Sequence, residues 1–325
     1  MKIFITRLLP EEGLQLLRQE ADVRVWPEEL PPPYEILKKE AQDSDGLVSL
    51  LTDRIDAALL ENCPKLKIIS NYAVGYDNID IAAASKKSIM VTNTPGVLTE
   101  TTADLAFALM MSCARRITES QAYVKAGHWK TWGPTLLLGR DLYGATLGLI
   151  GLGRIGAAVA RRARGFDMKI LYYSRTRQEQ LEKEFGLTYA GLEEVLKEAD
   201  FLSIHVPLTE HTRGLINKDS LRLMKKTAVL INTARGPIIN EADLYMALKE
   251  KSIWAAGLDV TDPEPMLPDN PLLTLDNCLV APHIGSASVA TRTKMSVMVA
   301  ENILAGLKGE RPANLVNTEL FANRL

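Results

Sequence analysis

Short apolar runs alternate with helical patterns along most of the chain. In the first third, five apolar runs predict the strands KIFIT, DVRVW, GLVSL, LKIISN and IMVT, with helical patterns between them. Six later runs predict the strands TLGLIG, MKILYY, FLSIHV, TAVLIN, AAGLDV and CLVAPH. Alternation of strands and helices is typical of α/β proteins with parallel sheets.

Two long helical patterns, at residues 98–127 and 286–308, flank the second series of strands. This arrangement predicts two doubly wound parallel-sheet domains with a cleft between them. We assign residues 1–97 and 309–325 to one domain, since the C-terminal stretch RPANLVNTEL is expected to return to it. The other domain is then expected to span residues 98–308.

Composition narrows the possible partners. The chain of 325 residues is 46% hydrophobic and 24% charged, with a net charge of −2. The charge balance gives no electrostatic case for nucleic acid or an anionic membrane as the main partner. No apolar run approaches the roughly 20 residues of a membrane span, and the first residues are expected to form a strand and a helix rather than a signal peptide. Three widely separated cysteines predict neither a disulfide framework nor a metal site, and they fit a reducing cytoplasm.

The stretch GLGRIG lies between the apolar strand TLGLIG and an amphipathic helix. This context favours a dinucleotide-binding turn, since an isolated G-x-G-x-x-G is weak evidence. Gly151 permits the turn, Gly153 lets the backbone approach a pyrophosphate, and Gly156 allows close packing of helix and strand. The alternative is a structural turn without a ligand. The predicted cofactor contacts in this turn are Gly151, Leu152, Gly153, Arg154, Ile155 and Gly156.

The stretch SRTR lies where dinucleotide-binding units often carry a carboxylate for the adenosine ribose. Ser174 removes the repulsion that a carboxylate would exert on a 2′-phosphate. Arg175 and Arg177 can pair with that phosphate, and Thr176 offers another donor. These residues favour NADP over NAD, although NAD remains possible. The alternative is a solvated basic turn on the surface.

Three polar residues each follow a predicted strand of the second series. Arg235 follows TAVLIN, Glu264 follows AAGLDV, and His283 lies at the end of CLVAPH. Reduction of a 2-oxo acid requires a proton donor, which histidine supplies near neutral pH. A carboxylate such as Glu264 orients the imidazole, and arginine can hold a substrate carboxylate. His205 also follows a strand and competes with His283 for the role of acid.

Seven segments together resemble the D-isomer-specific 2-hydroxyacid dehydrogenases over essentially the whole chain. They are NYAVGYDNID, VTNTPGVLTETTADLAFALM, GLGRIG, YYSRTR, INTARG, AAGLDVTDPEP and PHIGSAS. Within that family the chain looks most like glyoxylate/hydroxypyruvate reductases. The resemblance implies a Rossmann cofactor domain and a flavodoxin-like substrate domain, and it implies that Arg235, Glu264 and His283 form the catalytic set.

The resemblance also implies binding roles. Val74 and Gly75 would bind the substrate carboxylate together with Arg235, and Ser286 would lie near the substrate. Asp259 would help to hold the nicotinamide side. The further cofactor contacts that it implies are Val206, Pro207, Thr233, Ala234, Asp259, His283 and Gly285. It implies a homodimer formed through the cofactor domain and residues 98–145.

Two positions depart from patterns within the family. Phosphite dehydrogenases carry a lysine where this chain has Val74, which disfavours a strongly anionic inorganic substrate. Leu136 matches a tryptophan of the mammalian reductase that reaches from the partner subunit into the active site; Trp132 is close to it in sequence but is not taken as its equivalent. A broader D-2-hydroxyacid dehydrogenase is therefore an alternative, and a dinucleotide-sensing binding protein is a further one.

Overall fold

The computed structural model describes residues 1–322, which divide into two compact units. The first unit contains residues 1–98 and 286–322, and the second contains residues 99–285. Each unit has its own sheet, and every strand of both sheets pairs in parallel. The prediction of two α/β domains built on parallel sheets is confirmed.

The first unit is a five-stranded sheet with helices between its strands. Its strands are β1 (Lys2–Ile5), β2 (Asp22–Val25), β3 (Gly46–Ser49), β4 (Ile68–Asn71) and β5 (Met90–Thr92). Its helices are α1 (Glu11–Glu20), α2 (Tyr34–Gln42), α3 (Ala57–Glu61), α4 (Ile81–Lys86) and, near the C-terminus, α12 (Val289–Leu307) and α13 (Glu319–Ala322). The strand order 2-1-3-4-5 is that of flavodoxin-like sheets.

Helix α12 packs within the first unit, which differs from the predicted boundary at residues 308/309. The Ser296 hydroxyl donates to the carbonyl of Pro10 at 2.8 Å, and the Ser70 hydroxyl donates to the carbonyl of Val299 at 3.2 Å. A side chain at Gly13 would overlap Ser296, so α1 and α12 approach closely only because this position has no Cβ. The C-terminal stretch also joins this unit, where Leu315 pairs with Thr92 in an antiparallel bridge.

The second unit is a seven-stranded sheet in the order 12-11-10-9-6-7-8. Its strands are β6 (Thr146–Ile150), β7 (Lys169–Tyr173), β8 (Thr188–Tyr189), β9 (Phe201–Ile204), β10 (Val229–Asn232), β11 (Ala255–Leu258) and β12 (Cys278–Val280). Its helices are α5 (Thr99–Ala114), α6 (Ile117–Lys125), α7 (Arg154–Ala163), α8 (Glu179–Phe185), α9 (Leu192–Glu198), α10 (Lys218–Leu223) and α11 (Glu241–Lys249). Counted from β6, this is the dinucleotide-binding order 3-2-1-4-5-6 with one strand added.

The central strands of this sheet are continuous buried apolar runs. Strands β9, β10 and β11 are buried at every position, as expected for parallel strands covered on both faces. Separate hydrophobic clusters fill the two sides of the sheet. The edge strand β8 has only two residues, both exposed, and its pattern was too short to predict a strand.

The helical pattern over residues 98–127 forms two helices rather than one. Helix α5 ends at Ala114, and α6 begins at Ile117. Arg116 between them has a φ of 54°, in the left-handed region that ends a helix. The Arg116 guanidinium pairs with Glu119 in the first turn of α6, which supports the start of the second helix.

Candidate functional site

The glycine turn between β6 and α7 is closely packed at two of its glycines and open at the third. Gly151 has a φ of +97°, and a Cβ there would lie 2.6 Å from the carbonyl oxygen of His205. A Cβ at Gly156 would overlap the carbonyl oxygen of Gly151. At Gly153, by contrast, a Cβ would meet no described atom within 4 Å. Two glycines therefore pack the turn, and the middle one leaves open space for a ligand.

The start of α7 offers backbone donors beside that open space. Gly153 is the N-cap, and no side chain caps the helix. Within the described part of the chain, the N–H groups of Arg154 and Ile155 donate to no protein group. Unpaired N–H groups and the helix dipole favour an anion at this point. Leu152 is buried under the turn.

The two arginines in the segment after β7, which were predicted to have the same role, have different surroundings in the structure. Arg177 pairs with Glu182 through two hydrogen bonds of 2.9 and 2.8 Å. The Arg177 guanidinium and the Tyr172 hydroxyl hold the pKa of Glu182 down to about 2. Arg175 is exposed and forms no ion pair with any residue that the structure describes. Arg175 is thus the arginine whose guanidinium is available to a ligand.

Two smaller neighbours complete this segment. Ser174 is half-buried, and its carbonyl accepts a hydrogen bond from the Tyr189 hydroxyl at 3.3 Å. Thr176 is exposed, so its hydroxyl is accessible. Glu182 was not identified from the sequence. Its negative charge, five residues after the positively charged Arg177, could have suggested the pair.

Strand β9 ends beside the glycine turn. The Cγ1 atom of Val206 lies 2.8 Å from the place that a Cβ on Gly151 would occupy. Pro207 follows and is exposed, and its carbonyl accepts from the Thr212 hydroxyl at 2.7 Å. Val206 therefore packs against the predicted phosphate-binding turn.

His205 lies against the glycine turn and not beside a carboxylate. Its Nε2 atom is 2.9 Å from the Ser203 hydroxyl. Burial lowers the pKa of His205 to about 4. A neutral imidazole bonded to a serine is a poor proton donor near pH 7, which argues against His205 as the acid.

The loop after β10 carries Arg235 and is held by Asn232. The Asn232 amide donates to the carbonyl of Arg235 at 2.8 Å, and its oxygen accepts from the N–H of Ala234 at 3.0 Å. The Arg235 guanidinium donates to the carbonyl of Ala234 at 2.8 Å. Asn232 is fully buried, and its role was missed because a strand-end asparagine has no distinctive sequence signal.

Thr233 carries an unsatisfied polar atom. Its side chain is 9% exposed, yet its hydroxyl has no hydrogen-bond partner among the described residues. A buried hydroxyl without a partner is costly unless a ligand satisfies it. This is the behaviour expected of a residue that lines a cofactor site.

His283 and Glu264 form a direct pair. The Nδ1 atom of His283 lies 2.5 Å from Oε1 of Glu264. Both side chains are partly exposed, at 25% and 29%. The other carboxylate oxygen of Glu264 accepts weakly from the Thr261 N–H at 3.5 Å. Because Nδ1 is engaged, Nε2 of His283 is the nitrogen left to face a reactant.

Asp259 supports the loop that carries His283. Its carboxylate is 1% exposed and accepts from the N–H groups of Ile284 at 2.7 Å and Gly285 at 2.8 Å. Burial raises the pKa of Asp259, while these hydrogen bonds and His283 oppose the shift. A Cβ on Gly285 would lie 3.1 Å from the carboxylate, so glycine allows this close contact. The His283 backbone has a φ of 53°, in the left-handed region.

In the second unit the structure therefore brings the predicted residues to the C-terminal ends of neighbouring strands. Arg235 follows β10, Asp259 and Glu264 follow β11, and His283 follows β12. A side chain at Gly236 would overlap the carbonyl of Thr261, so the loops after β10 and β11 are in contact. Ligands of open parallel sheets bind at this end of the strands.

Val74, Gly75 and Ser286 belong to the first unit. Val74 and Gly75 lie in the loop after β4 and are half-buried. Ser286 is half-buried as well, and its carbonyl accepts from the Ser288 N–H at 2.9 Å.

The residues of the second unit fit a dinucleotide. The open space at Gly153, the unpaired N–H groups of α7, the unsatisfied Thr233 hydroxyl and the exposed Arg175 guanidinium are what a phosphate-rich cofactor needs. Within residues 1–322, no group of three His, Cys, Asp or Glu side chains is placed to hold a metal ion. No helix in that range has the length and apolarity to cross a membrane.

Comparisons with known proteins agree with this geometry. The family model for the D-isomer specific 2-hydroxyacid dehydrogenase, NAD binding domain, matches residues 107–285. A glyoxylate reductase of Korarchaeum cryptofilum is 54% identical over 324 residues, which cover 99% of this chain and 98% of that protein. A crystal structure from Thermus thermophilus is 46% identical, with a TM-score of 0.93 over 97% of this chain and all of that one.

A further solved structure has bound ligands. It is an NADPH-dependent glyoxylate/hydroxypyruvate reductase from Sinorhizobium meliloti in complex with NADP and malonate. This chain is 34% identical to it, with a TM-score of 0.86 over 97% of this chain and 96% of that one.

Proposed function

Because the chain belongs to the D-isomer specific 2-hydroxyacid dehydrogenases, enzymes that use a nicotinamide dinucleotide, we propose that it reduces glyoxylate and hydroxypyruvate with NADPH as the preferred cofactor. The products are glycolate and D-glycerate. The observation that carries the proposal is the His283–Glu264 pair at 2.5 Å. It lies at the same end of the seven-stranded sheet as the glycine turn after β6. The names of the relatives support glyoxylate as substrate.

The preference for NADPH rests on the segment after β7. Ser174 presents no negative charge to a 2′-phosphate, and the exposed Arg175 guanidinium is a free cation for it. Thr176 adds a hydroxyl donor. Arg177 contributes mainly by neutralising Glu182, whose charge would otherwise repel the phosphate.

The protein groups have distinct roles in the proposed reaction. Bound NADPH supplies the hydride that reduces the carbonyl carbon. His283 donates a proton from Nε2 to the carbonyl oxygen, while Glu264 holds Nδ1 and stabilises the imidazolium. Arg235 and the backbone N–H groups of Val74 and Gly75 bind the substrate carboxylate.

Remaining contacts follow the same logic. Ser286 lies near the substrate in this proposal. Thr233, Ala234 and Asp259 line the nicotinamide side, and Asp259 also fixes the loop of His283 through Ile284 and Gly285. Val206 and Pro207 line the adenosine half.

The central test compares two substitutions in the catalytic pair. His283→Ala removes the proton donor, so kcat with glyoxylate is expected to fall by roughly 10²- to 10⁴-fold. Glu264→Gln keeps the shape but not the charge, so kcat is expected to fall less steeply. The dissociation constant of NADPH, measured by fluorescence titration, is expected to stay within about twofold. His211→Ala, at an exposed histidine, is the matched control.

Near wild-type turnover in His283→Ala would contradict the assignment of the acid. Activity with larger 2-oxo acids that exceeds activity with glyoxylate and hydroxypyruvate would favour the alternative of a broader D-2-hydroxyacid dehydrogenase. That alternative is motivated by Leu136, which is 37% exposed and stands where a bulky tryptophan is expected from the mammalian pattern. NADPH binding without turnover on any 2-oxo acid would favour a dinucleotide-sensing protein.

We also expect a homodimer formed through residues 98–145. This segment exposes large apolar side chains, including Ile117, Trp129, Trp132 and Tyr143, at 54%, 61%, 78% and 73%. We expect the dimer interface to cover these side chains. Sedimentation equilibrium would show a monomer if the expectation is wrong.

A further inference from the structure

The loop after β4 presents three consecutive backbone donors without partners. Within the described residues, the N–H groups of Val74, Gly75 and Tyr76 donate no hydrogen bond. Val74 and Gly75 are half-buried, and Tyr76 is exposed. Successive free N–H groups make a concave site that attracts an anion.

The direction in which each of these N–H groups points follows from the carbonyl of the residue before it. In a trans peptide, a carbonyl and the N–H that follows it point in opposite directions. The carbonyl of Ala73 accepts from the N–H of Thr94 at 2.9 Å. The N–H of Val74 is therefore turned away from Thr94.

Two asparagine side chains act in the same way on the next two peptides. The Asn93 amide donates to the carbonyl of Val74 at 2.8 Å, which turns the N–H of Gly75 away from Asn93. The Asn71 amide donates to the carbonyl of Gly75 at 2.8 Å, which turns the N–H of Tyr76 away from Asn71. Without these bonds, the two peptides have no other side chain to fix their orientation among the described contacts.

Both asparagines are themselves fixed in place. Asn71 is fully buried at the end of β4, and its side-chain oxygen accepts from the Ser49 hydroxyl at 3.0 Å. That bond decides which end of the Asn71 amide faces the loop. The backbone of Asn93 bonds to Asn302 and Asn314, each at 3.3 Å.

We propose that Asn71 and Asn93 are positioning residues for the substrate carboxylate. They hold the carbonyls of Val74 and Gly75 so that the N–H groups of Gly75 and Tyr76 stay aimed at the anion. Neither asparagine touches the substrate. The inference rests on the proposed function, in which this loop binds the carboxylate, and it adds Tyr76 as a third backbone donor.

The test measures binding of the substrate carboxylate separately from the rate of the reduction step. Asn93→Ala and Asn71→Ala each remove one donor, and each is expected to raise KM for glyoxylate about tenfold, the worth of one hydrogen bond to a charged group. Oxalate, added to the complex of enzyme and NADP, is expected to bind about tenfold more weakly by calorimetry. The value of kcat and the dissociation constant of NADPH are expected to stay within about twofold.

Two further variants keep the test decisive. Asn62→Ala, at the exposed end of α3, removes an amide-to-carbonyl hydrogen bond of the same kind, which is 2.8 Å long and reaches Ala58. It is expected to change neither the KM for glyoxylate nor the affinity for oxalate. Asn93→Ser, whose hydroxyl is too short to reach Val74, replaces Asn93→Ala if that variant does not fold.

The outcomes separate two failures. If the wild-type enzyme reduces glyoxylate, and the folded Asn71 and Asn93 variants keep the wild-type KM and oxalate affinity, the inference is overturned but the proposed function is not. A parallel loss of kcat and melting temperature, without selective loss of oxalate, would also overturn it, since it would show a merely structural role. A wild-type enzyme that neither binds oxalate nor reduces glyoxylate would overturn the proposed function and the inference with it.

Discussion

The two arginines after β7 are predicted to differ in what they do for NADPH. Arg175 has no protein partner among the described residues, so its guanidinium can bond fully to a 2′-phosphate. Arg177 already gives two hydrogen bonds to Glu182 and lies 5.8 Å from the centre of the Tyr189 ring. Arg175→Ala is therefore the substitution that should change cofactor preference most directly.

The expected size follows from the exposure of the site. A hydrogen bond to a charged group contributes about 1.5–3 kcal/mol, but exposed ion pairs contribute less than about 1 kcal/mol. Arg175 is exposed and the phosphate carries a high charge, so about 1–2 kcal/mol is reasonable, which is roughly a 5- to 30-fold loss of kcat/KM for NADPH. NADH lacks the phosphate, so its kcat/KM should change less than about twofold.

Arg177→Ala should act through its partner. Its loss leaves Glu182 with the Tyr172 hydroxyl, at 2.6 Å, and without its cation. The uncompensated carboxylate should repel the phosphate and weaken NADPH binding. The double substitution Arg177→Ala with Glu182→Gln should recover part of that loss, because the negative charge is gone.

The assay is kcat/KM for NADPH and NADH at saturating glyoxylate, measured at low and high ionic strength. The loss in Arg175→Ala should shrink at high salt, because the pair is exposed to screening. Arg222→Ala, at an exposed arginine of α10, is the control. An unchanged ratio of NADPH to NADH in Arg175→Ala, or an equal fall for both cofactors, would refute the 2′-phosphate argument.

Two further predictions concern the glycine turn and His205. Gly156→Ala should destabilise the fold by about 1–3 kcal/mol, because its Cβ would overlap the backbone of Gly151. Gly153→Ala should leave the melting temperature nearly unchanged and weaken binding of the cofactor, so an equal loss of stability in both variants would contradict the division of roles. The pKa of His205 is about 4 in the fold against 6.5 unfolded, so the unfolded chain takes up the proton first, and stability should fall by up to about 3 kcal/mol between pH 6.5 and 4. Urea unfolding of His205→Gln should show a shallower loss over that range; an identical pH profile would remove His205 as the cause.

Much of the architecture was readable because local signals repeat at regular intervals. Buried parallel strands are continuous apolar runs, so the central strands stood out, while the exposed two-residue strand β8 gave too little pattern to read. The GLGRIG turn was recognisable because its glycines are needed for the backbone geometry. A side chain at Gly151 or Gly156 would lie too close to neighbouring backbone atoms. The pattern over residues 98–127 suggested one long helix where the structure has two. A break at the single left-handed residue Arg116 leaves the hydrophobic periodicity on both sides intact.

The candidate site divides in a similar way. Residue types and their place after strands pointed to Arg235, Glu264 and His283, and the family resemblance narrowed the choice. Spacing did not distinguish His283 from His205, because both follow strands; their different partners, Glu264 and Ser203, appear only in three dimensions. The distinction between Arg175 and Arg177 depends on Glu182 in the same way.

Local periodicity and residue chemistry were enough to predict the alternation of strands and helices, the glycine turn between β6 and α7, and the kinds of polar side chain in the candidate site. Three features became visible only in the folded molecule. Helix α12 packs with the first unit, Asp259 accepts hydrogen bonds from the loop of His283, and Asn71 and Asn93 donate to carbonyls of the loop after β4. These contacts join residues that are distant in sequence or depend on the path of a loop. Such contacts form only when the chain has folded, and no local pattern specifies them.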